Sequence, residues 1–476
     1  MMLDKGEKMK KQILIKDIKL LLRDLKFQIF FIILFILFIV SAISSAVAYK
    51  EISENFQNRL VAHHNILQTG EDLQLIRMLH ERQSLSVVSS PSPSVLYNVN
   101  NLFPVGMRNN VMFFEPVMLY DAFPNEVFKI NWHFILSIMM SFIMLILSFE
   151  SISGEKRAGT LRLMSIYGFK RQTVLWSKYL SYMMLYLIII IPPALISIII
   201  FFSLTGTWDV LYMFKFIVLI LLSIPFVSFF TLVGMFISMM RNYRNAIVTV
   251  IFIWLLVVII IPQSANIFGE LISPIRTNSE YAQMQQDAWD REMNRQIEMY
   301  GRRAETNLDV TDGIRPRAIY SADEQRVLVR QKRLTDQDRQ WRTIRNISLL
   351  SPLTQFEEIA EIIFDTGSYM YIAMQQTMRN LQTHVRNLVI TQDSRDNTSY
   401  HLFYSWAGGM GRVQDGRTEF SVDRFEHPDL LFVTNIPTDD VMGKAIKILL
   451  RLLPILILNL VLIVGSVVRL EKLDIR

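Results

Sequence analysis

The sequence contains no cysteine among its 476 residues. Disulfide bonds and metal sites built on thiolate ligands are therefore excluded. Charged side chains are also missing from long stretches of the chain, and 51% of the residues are hydrophobic. Such a composition is typical of a protein embedded in a membrane rather than dissolved in water.

Six uncharged, apolar runs are long enough to cross a bilayer, which takes about 20 residues in helical conformation. They predict an all-α membrane protein with six transmembrane helices, at residues 27–49, 131–150, 179–262 (the third to fifth) and 444–468. The first run is too long for a cleaved signal peptide, and no convincing small-residue cleavage site follows it. The runs are Phe27–Tyr49, Asn131–Phe149, Tyr179–Trp208, Phe216–Met240, Asn245–Pro262 and Leu452–Val468.

Lysine and arginine residues collect on one side of these predicted spans. Eight of them precede the first span. Because each span takes the chain to the opposite side, Arg241–Arg244 after the fourth span and the tail 469–476 after the sixth lie on that same side. The opposite loop Leu204–Val210 has no basic residue. Because basic residues mark the cytoplasmic side of a membrane protein, both termini are expected in the cytoplasm.

The N-terminal residues 1–26 predict a cytoplasmic amphipathic helix. Its apolar residues recur at helical spacing, at Leu14, Ile18, Leu21 and Leu25. Such a helix would lie in the headgroup layer with its apolar side toward the membrane and its lysines facing anionic lipid. The alternative is a plain cytoplasmic extension of the first span.

Residues 50–130 and 263–443 remain outside the membrane, as two insertions expected to form one mostly helical extracytoplasmic domain. In the second, residues 278–304 and 321–350 predict two long helices joined by a loop around residues 312–316. Ser351 and Pro352 predict the start of a further helix that runs to about Val389. Loops and short aromatic strands are expected between Asp393 and Asp440.

Few charges fall within the predicted spans. Lys215 lies near the outer end of the fourth span and can extend its ammonium group to the surface. Arg451 lies just inside the sixth span, where the sequence favours anchoring to headgroups over a functional role. Since ion and proton paths need intramembrane charges, the absence of a carboxylate relay argues against a proton- or sodium-coupled transporter.

The loop between the second and third spans, residues 151–178, is charged and broken by glycines: SISGEKRAGTLRLMSIYGFKRQTVLWSK. Gly154 and Gly159 let the backbone turn away from the direction of the spans. Thr160 is expected to cap a short surface helix, Leu161–Tyr167. A helix in this place suits mechanical coupling, because a rigid push on it moves two spans together.

Side chains on this short helix divide into two sets. Leu161 and Met164 are expected to face lipid or neighbouring spans, whereas Arg162 and Ser165 are expected to face water. Residues 154–160 imitate the start of a phosphate-binding loop. That loop needs lysine after its second glycine, where this chain has Thr160, so no nucleotide site is expected in this chain.

The same loop resembles the motif of ABC transporter permeases of the ABC-2 type, in which it docks on the ATP-binding subunit. Gly168 stands where the family often has proline. The six-span layout with a large insertion before the last span resembles a subgroup with a large extracytoplasmic domain. The residues that match the motif are Glu150, Glu155, Gly159, Thr160, Leu161, Arg171 and Lys178. The resemblance places the coupling interface at these residues and at Gly154, Lys156, Arg157 and Arg162.

This resemblance implies a permease subunit of an ATP-driven exporter in the cell (inner) membrane. It implies two partners besides the lipid bilayer: an ABC ATP-binding subunit, which binds ATP and Mg, and a second permease copy or a homologous permease. No cofactor, metal, catalytic residue or nucleic acid is expected for this chain. A force-transmitting complex without transport, and a channel or secondary transporter, stay open as alternatives.

Overall fold

The computed structural model describes residues 14–68, 132–167, 170–206, 210–240, 243–300, 308–364 and 440–472. These residues are helical almost throughout and include no strand, which confirms the predicted all-α class. The strands predicted between Asp393 and Asp440, and the helix end predicted near Val389, lie outside the described residues. Six helices are long and apolar enough to cross a membrane: Leu25–Ser44, Trp132–Arg157, Arg171–Thr205, Met213–Ile237, Arg244–Ile272 and Val441–Glu471.

Twelve helices make up the described part of the chain. Two of them contain one π-helical turn each, at Ile135–Met139 and at Leu256–Ile260. In chain order they are α1 (14–23), α2 (Leu25–Gln68), α3 (132–148), α4 (Ser151–Arg157), α5 (Thr160–Ile166), α6 (Arg171–Thr205), α7 (Val210–Ile237), α8 (243–272), α9 (Asn278–Tyr300), α10 (Leu308–Ser348), α11 (Pro352–Phe364) and α12 (Val441–Glu471).

Helix α7, the fourth span, is the centre of the membrane bundle and packs against α3, α11 and α12. Its contact with α3 requires a small residue, because a Cβ on Gly234 would lie 2.8 Å from the Leu145 carbonyl oxygen. Small residues allow spanning helices to approach this closely. A polar contact joins α7 to α12, where Asn459 Nδ2 donates to the Pro225 carbonyl oxygen at 2.8 Å.

Outside the spans, α9 and α10 form an antiparallel hairpin. Tyr281 Oη donates to Asp336 at 3.0 Å, and the Arg326 guanidinium lies 4.0 Å above the Trp289 ring. The prediction of a loop at residues 312–316 is wrong, because α10 runs through them from Leu308. Helix-breaking propensity is a weak prior that the surrounding chain can override.

Helix α11 begins where the sequence predicts, with the Leu353 amide donating to Ser351 Oγ at 3.2 Å. Its position differs from the prediction. Instead of belonging to an external domain it is buried against the spans, and the Phe356 ring stacks on Phe226 of α7 at 4.7 Å. Ser351 Oγ also donates to the Val257 carbonyl oxygen of the fifth span at 2.6 Å.

The charges on α11 correct two expectations. Glu358 is buried and forms ion pairs with Arg345 of α10 and Arg451 of α12. Arg451 therefore binds a carboxylate inside the protein, and headgroup anchoring is wrong. Glu361 is buried as well, so carboxylates do lie among the spans. The sequence analysis missed Glu358 and Glu361, because both belong to a segment outside the apolar runs.

Candidate functional site at the loop between the second and third spans

The loop folds as two short helices, α4 and α5, joined by a turn at Ala158 and Gly159. Gly159 has a φ of 71°, in the left-handed region that side chains with a Cβ rarely adopt. The predicted helix is present, but its predicted cap is wrong. Thr160 is the first residue of α5, and its hydroxyl donates to the Glu155 carboxylate. A carboxylate acceptor makes a stronger hydrogen bond than a neutral group does.

A buried ion cluster lies under this turn. Lys178 Nζ, at the start of the third span, donates to Glu155 Oε1 at 2.9 Å, so two of the residues that carry the motif meet. Asp17 of α1 lies 3.7 Å from the same ammonium group, and sequence reasoning missed it. The sequence does contain a signal for this residue, since Asp17 is a charged side chain on the apolar face formed by Leu14 and Leu21.

Helix α1 packs part of its predicted apolar face on the protein. Leu21 and Leu22 pack against the protein core, and Asp17 on the same face is buried. Contact of the remaining apolar side chains with lipid headgroups stays a prediction. Basic side chains occupy the opposite face, where Lys16 and Lys19 are exposed.

Further contacts join the loop to the first and the fourth span. Lys26 at the base of the first span donates to Glu150 Oε1 at 3.3 Å. Ser238 Oγ of the segment after α7 accepts hydrogen bonds from the amides of Ile152 at 2.8 Å and Ser153 at 2.9 Å. These bonds cap the first turn of α4, whose amides have no partner within the helix.

Arg171 has a structural contact that the motif did not reveal. Its guanidinium donates to the carbonyl oxygens of Leu470 at 2.9 Å and Glu471 at 2.7 Å. These carbonyls end α12, and a cation at a helix C-terminus is favourable. Arg171 thus connects the third span to the sixth and is turned toward the bundle.

The outward surface of the loop is basic and apolar. Leu161 is buried, as expected, and Arg162 is exposed, as are Lys156, Arg157 and Gly159. Ile166 is 71% exposed and Tyr167 76% exposed. A contiguous apolar patch with a charged rim is typical of a protein–protein contact. Within the described ranges, no group of three His, Asp or Glu side chains is placed to hold a metal ion.

One comparison identifies the kind of protein to which this chain is similar. A family model described as "ABC-2 family transporter protein" matches residues 12–389. The match begins next to α1, covers five of the six spans and continues past α11. Neither the curated proteins nor the solved structures include a match to this chain.

Proposed function

The chain belongs to the ABC-2 family of transporter proteins, and on this premise we propose that it is the permease subunit of an ATP-driven exporter. Membership of the family implies an ABC ATP-binding partner and a membrane location. In our proposal that partner binds ATP and Mg and hydrolyses the nucleotide. The permease lies in the cell (inner) membrane with both termini in the cytoplasm.

The observation that carries the proposal is the buried contact of Lys178 with Glu155. It attaches α4, at the end of the second span, to the start of the third span. Glu155 also accepts the hydrogen bond from Thr160, the first residue of α5. A force applied to α5 therefore reaches both spans through short, buried bonds and not through a flexible loop.

The exposed patch on α5 suits the docking surface for the ATP-binding subunit. Arg162, Ile166 and Tyr167 present charge and apolar area on the same side of the loop. Closure of two ATP-binding subunits would push this surface. The spans of two permease copies, or of this chain and a homologous permease, would then open a path toward the outside.

A matched pair of glycine substitutions tests the coupling. Gly159→Ala forces a Cβ into a left-handed conformation at a cost of about 1–2 kcal/mol, whereas Gly154 lies in α4 with open space around the position of a Cβ. In vesicles containing the permease and its ATP-binding subunit, we expect Gly159→Ala to lower transport per ATP hydrolysed by roughly fivefold or more. Gly154→Ala should leave this ratio unchanged. Equal coupling in both variants would contradict the proposal.

The force-transmitting alternative is favoured by α11. This helix contacts the spans through Phe356 and the external hairpin through Arg345, so motion of the spans could reach the hairpin. Vesicles distinguish the two functions. Accumulation of a lipid, peptide or dye that depends on ATP supports export, whereas hydrolysis without accumulation of any of the three supports force transmission.

A channel or secondary transporter is the remaining alternative. The buried carboxylates Glu358 and Glu361 weaken the sequence argument against it. Glu358, however, has an arginine on either side and so lacks the free carboxylate that a proton relay uses. Ion conductance in vesicles that contain this chain without an ATP-binding subunit would favour the alternative.

A further inference from the structure

A cavity of about 460 Å³ lies between α1 and the inner ends of α3, α4 and α6. In the proposed topology it lies where the spans meet the cytoplasm, because its lining includes Leu147 near the end of α3 and Lys178 near the start of α6. In a membrane this level is occupied by lipid headgroups. The cavity is thus placed to receive a molecule from the inner leaflet.

Two buried polar atoms of the cavity wall lack a close hydrogen-bond partner in the described chain: Ser151 Oγ has none, and Asp17 Oδ2 has only the ammonium group of Lys178 at 3.7 Å. Both residues are only 6% exposed. Lys178 Nζ is 3.7 Å from the Asp17 carboxylate but 2.9 Å from Glu155, so its closer contact is with Glu155. Buried polar atoms in proteins nearly always have a hydrogen-bond partner. A hydrogen-bond donor group therefore belongs beside Asp17 and Ser151.

The remaining lining narrows the chemistry of that donor. Four carboxylates face the cavity, which disfavours a nucleotide or another polyanion. Two lysines, Lys16 and Lys178, disfavour a bare divalent cation. Leucine side chains form an apolar part of the wall, which suits an amphiphile. The carboxylates belong to Asp17, Asp24, Glu150 and Glu155, and the leucines are Leu20, Leu21 and Leu147.

We propose that the cavity binds the headgroup of a zwitterionic phospholipid with a primary ammonium group. An ammonium group has three donors, enough for both Asp17 Oδ2 and Ser151 Oγ. The phosphate would lie beside Lys16 at the exposed rim, and the glycerol end would follow the leucine wall. Because Asp17 belongs to α1 and Ser151 to α4, the lipid would hold α1 against the coupling loop. This last effect, on coupling, rests on the proposed function, whereas the binding does not.

Native mass spectrometry of the full-length chain in detergent tests the binding without any ATP-binding subunit. The probes are dioleoyl-phosphatidylethanolamine, the corresponding phosphatidylcholine, which lacks N–H donors, and the corresponding anionic phosphatidylglycerol. We expect phosphatidylethanolamine to bind about tenfold more tightly than phosphatidylcholine, as a hydrogen bond to a carboxylate implies. Equal affinities, or tightest binding of phosphatidylglycerol, would overturn the proposal.

Variants distinguish lipid binding in the cavity from general contact of lipid with the protein surface. Asp17→Asn should reduce the tenfold preference to about twofold or less, and Ser151→Ala should reduce it to about threefold. The matched control Asp338→Asn, on α10 outside the membrane, should keep the full preference. A purely structural role of Asp17 would lower the affinity for all three lipids equally. If Asp17→Asn does not fold, Ser151→Ala, which keeps every charge, decides the result, and an unchanged preference in it would refute the site.

Discussion

Residues of the same type have different roles in the loop between the second and third spans. Gly159 has a left-handed φ of 71°, whereas Gly154 lies within a helix. Arg162 is exposed on α5, whereas Arg171 binds the carbonyl oxygens at the end of α12. Substitutions of equal chemistry should therefore differ in effect, and each residue of the motif needs its own test.

Asp17 should give the protein a measurable pH dependence. Burial raises the pKa of this carboxyl above 3.8, although the ammonium of Lys178 opposes the shift. Between the unfolded and the folded pKa the folded state binds the additional proton, so the contribution of Asp17 to the free energy of unfolding falls as the pH rises. Unfolding titrations in detergent at pH 4 to 7 should show a stability difference between the parent chain and Asp17→Asn that is most favourable to the parent at the acidic end.

The control for this titration is Asp338→Asn, which removes a carboxyl that pairs with Arg342 outside the membrane. A parent chain whose advantage over Asp17→Asn increases with pH would show that the attraction to Lys178 outweighs burial. The assignment of Asp17 as a carboxyl dominated by burial would then be wrong.

The apolar patch on α5 predicts the contact with the ATP-binding subunit. Ile166→Asp places a charge in this patch, where Ile166 is 71% exposed in the isolated chain. We expect the amount of ATP-binding subunit that co-purifies to fall by about tenfold, since burial of an unpaired charge in an interface is costly. Leu350→Asp, at a residue 72% exposed between α10 and α11, is the control and should not change the amount that co-purifies. Full co-purification with Ile166→Asp would exclude the patch from the contact.

At the scale of single elements, α11 is the most informative helix. Thirteen residues, Pro352–Phe364, contact α7 and α12 and lie next to the end of α10. Glu358 holds Arg345 and Arg451 together, and His133 of the second span lies 3.7 Å from Glu357. This short helix thus joins the membrane bundle to the hairpin formed by α9 and α10.

Glu358→Gln should strongly destabilise this joint. The substitution removes the carboxylate that pairs with the buried Arg345 and the half-buried Arg451. Breaking a buried ion pair costs about 3–5 kcal/mol. The free energy of unfolding in detergent measures the loss. Glu298→Gln, at an exposed position on α9, is the control and should change stability by less than about 0.5 kcal/mol. A loss below about 1 kcal/mol for Glu358→Gln would mean that the triad contributes little.

At the scale of the whole molecule, the absence of cysteine makes the topology directly testable. Ile166→Cys and Met299→Cys introduce single thiols at exposed positions on α5 and α9. In intact cells a membrane-impermeant maleimide should label Met299→Cys and should label Ile166→Cys only after permeabilisation. The parent chain gives the background. Labelling of Ile166→Cys in intact cells would place α5 outside and remove the basis of the proposed function.

Much of the layout could be predicted from local sequence. The six spans were predictable because an apolar run of bilayer length needs no knowledge of its neighbours. The start of α11 at Pro352 was likewise predictable, since Ser-Pro is a local helix signal. The hairpin turn was misplaced, because Gly313 and Pro316 are only weak evidence against a helix once α10 is formed.

The sequence by itself determined which segments can enter a membrane and which loop resembles the ABC-2 motif, because both depend on consecutive residues. Only the tertiary structure decided which distant charges meet. Lys178 pairs with Asp17 and Glu155, and Glu358 pairs with Arg345 and Arg451, across helices whose packing no local pattern specifies. A charge buried in such surroundings is stable only beside its partner, so the fold that brings the partners together also determines what each charge does.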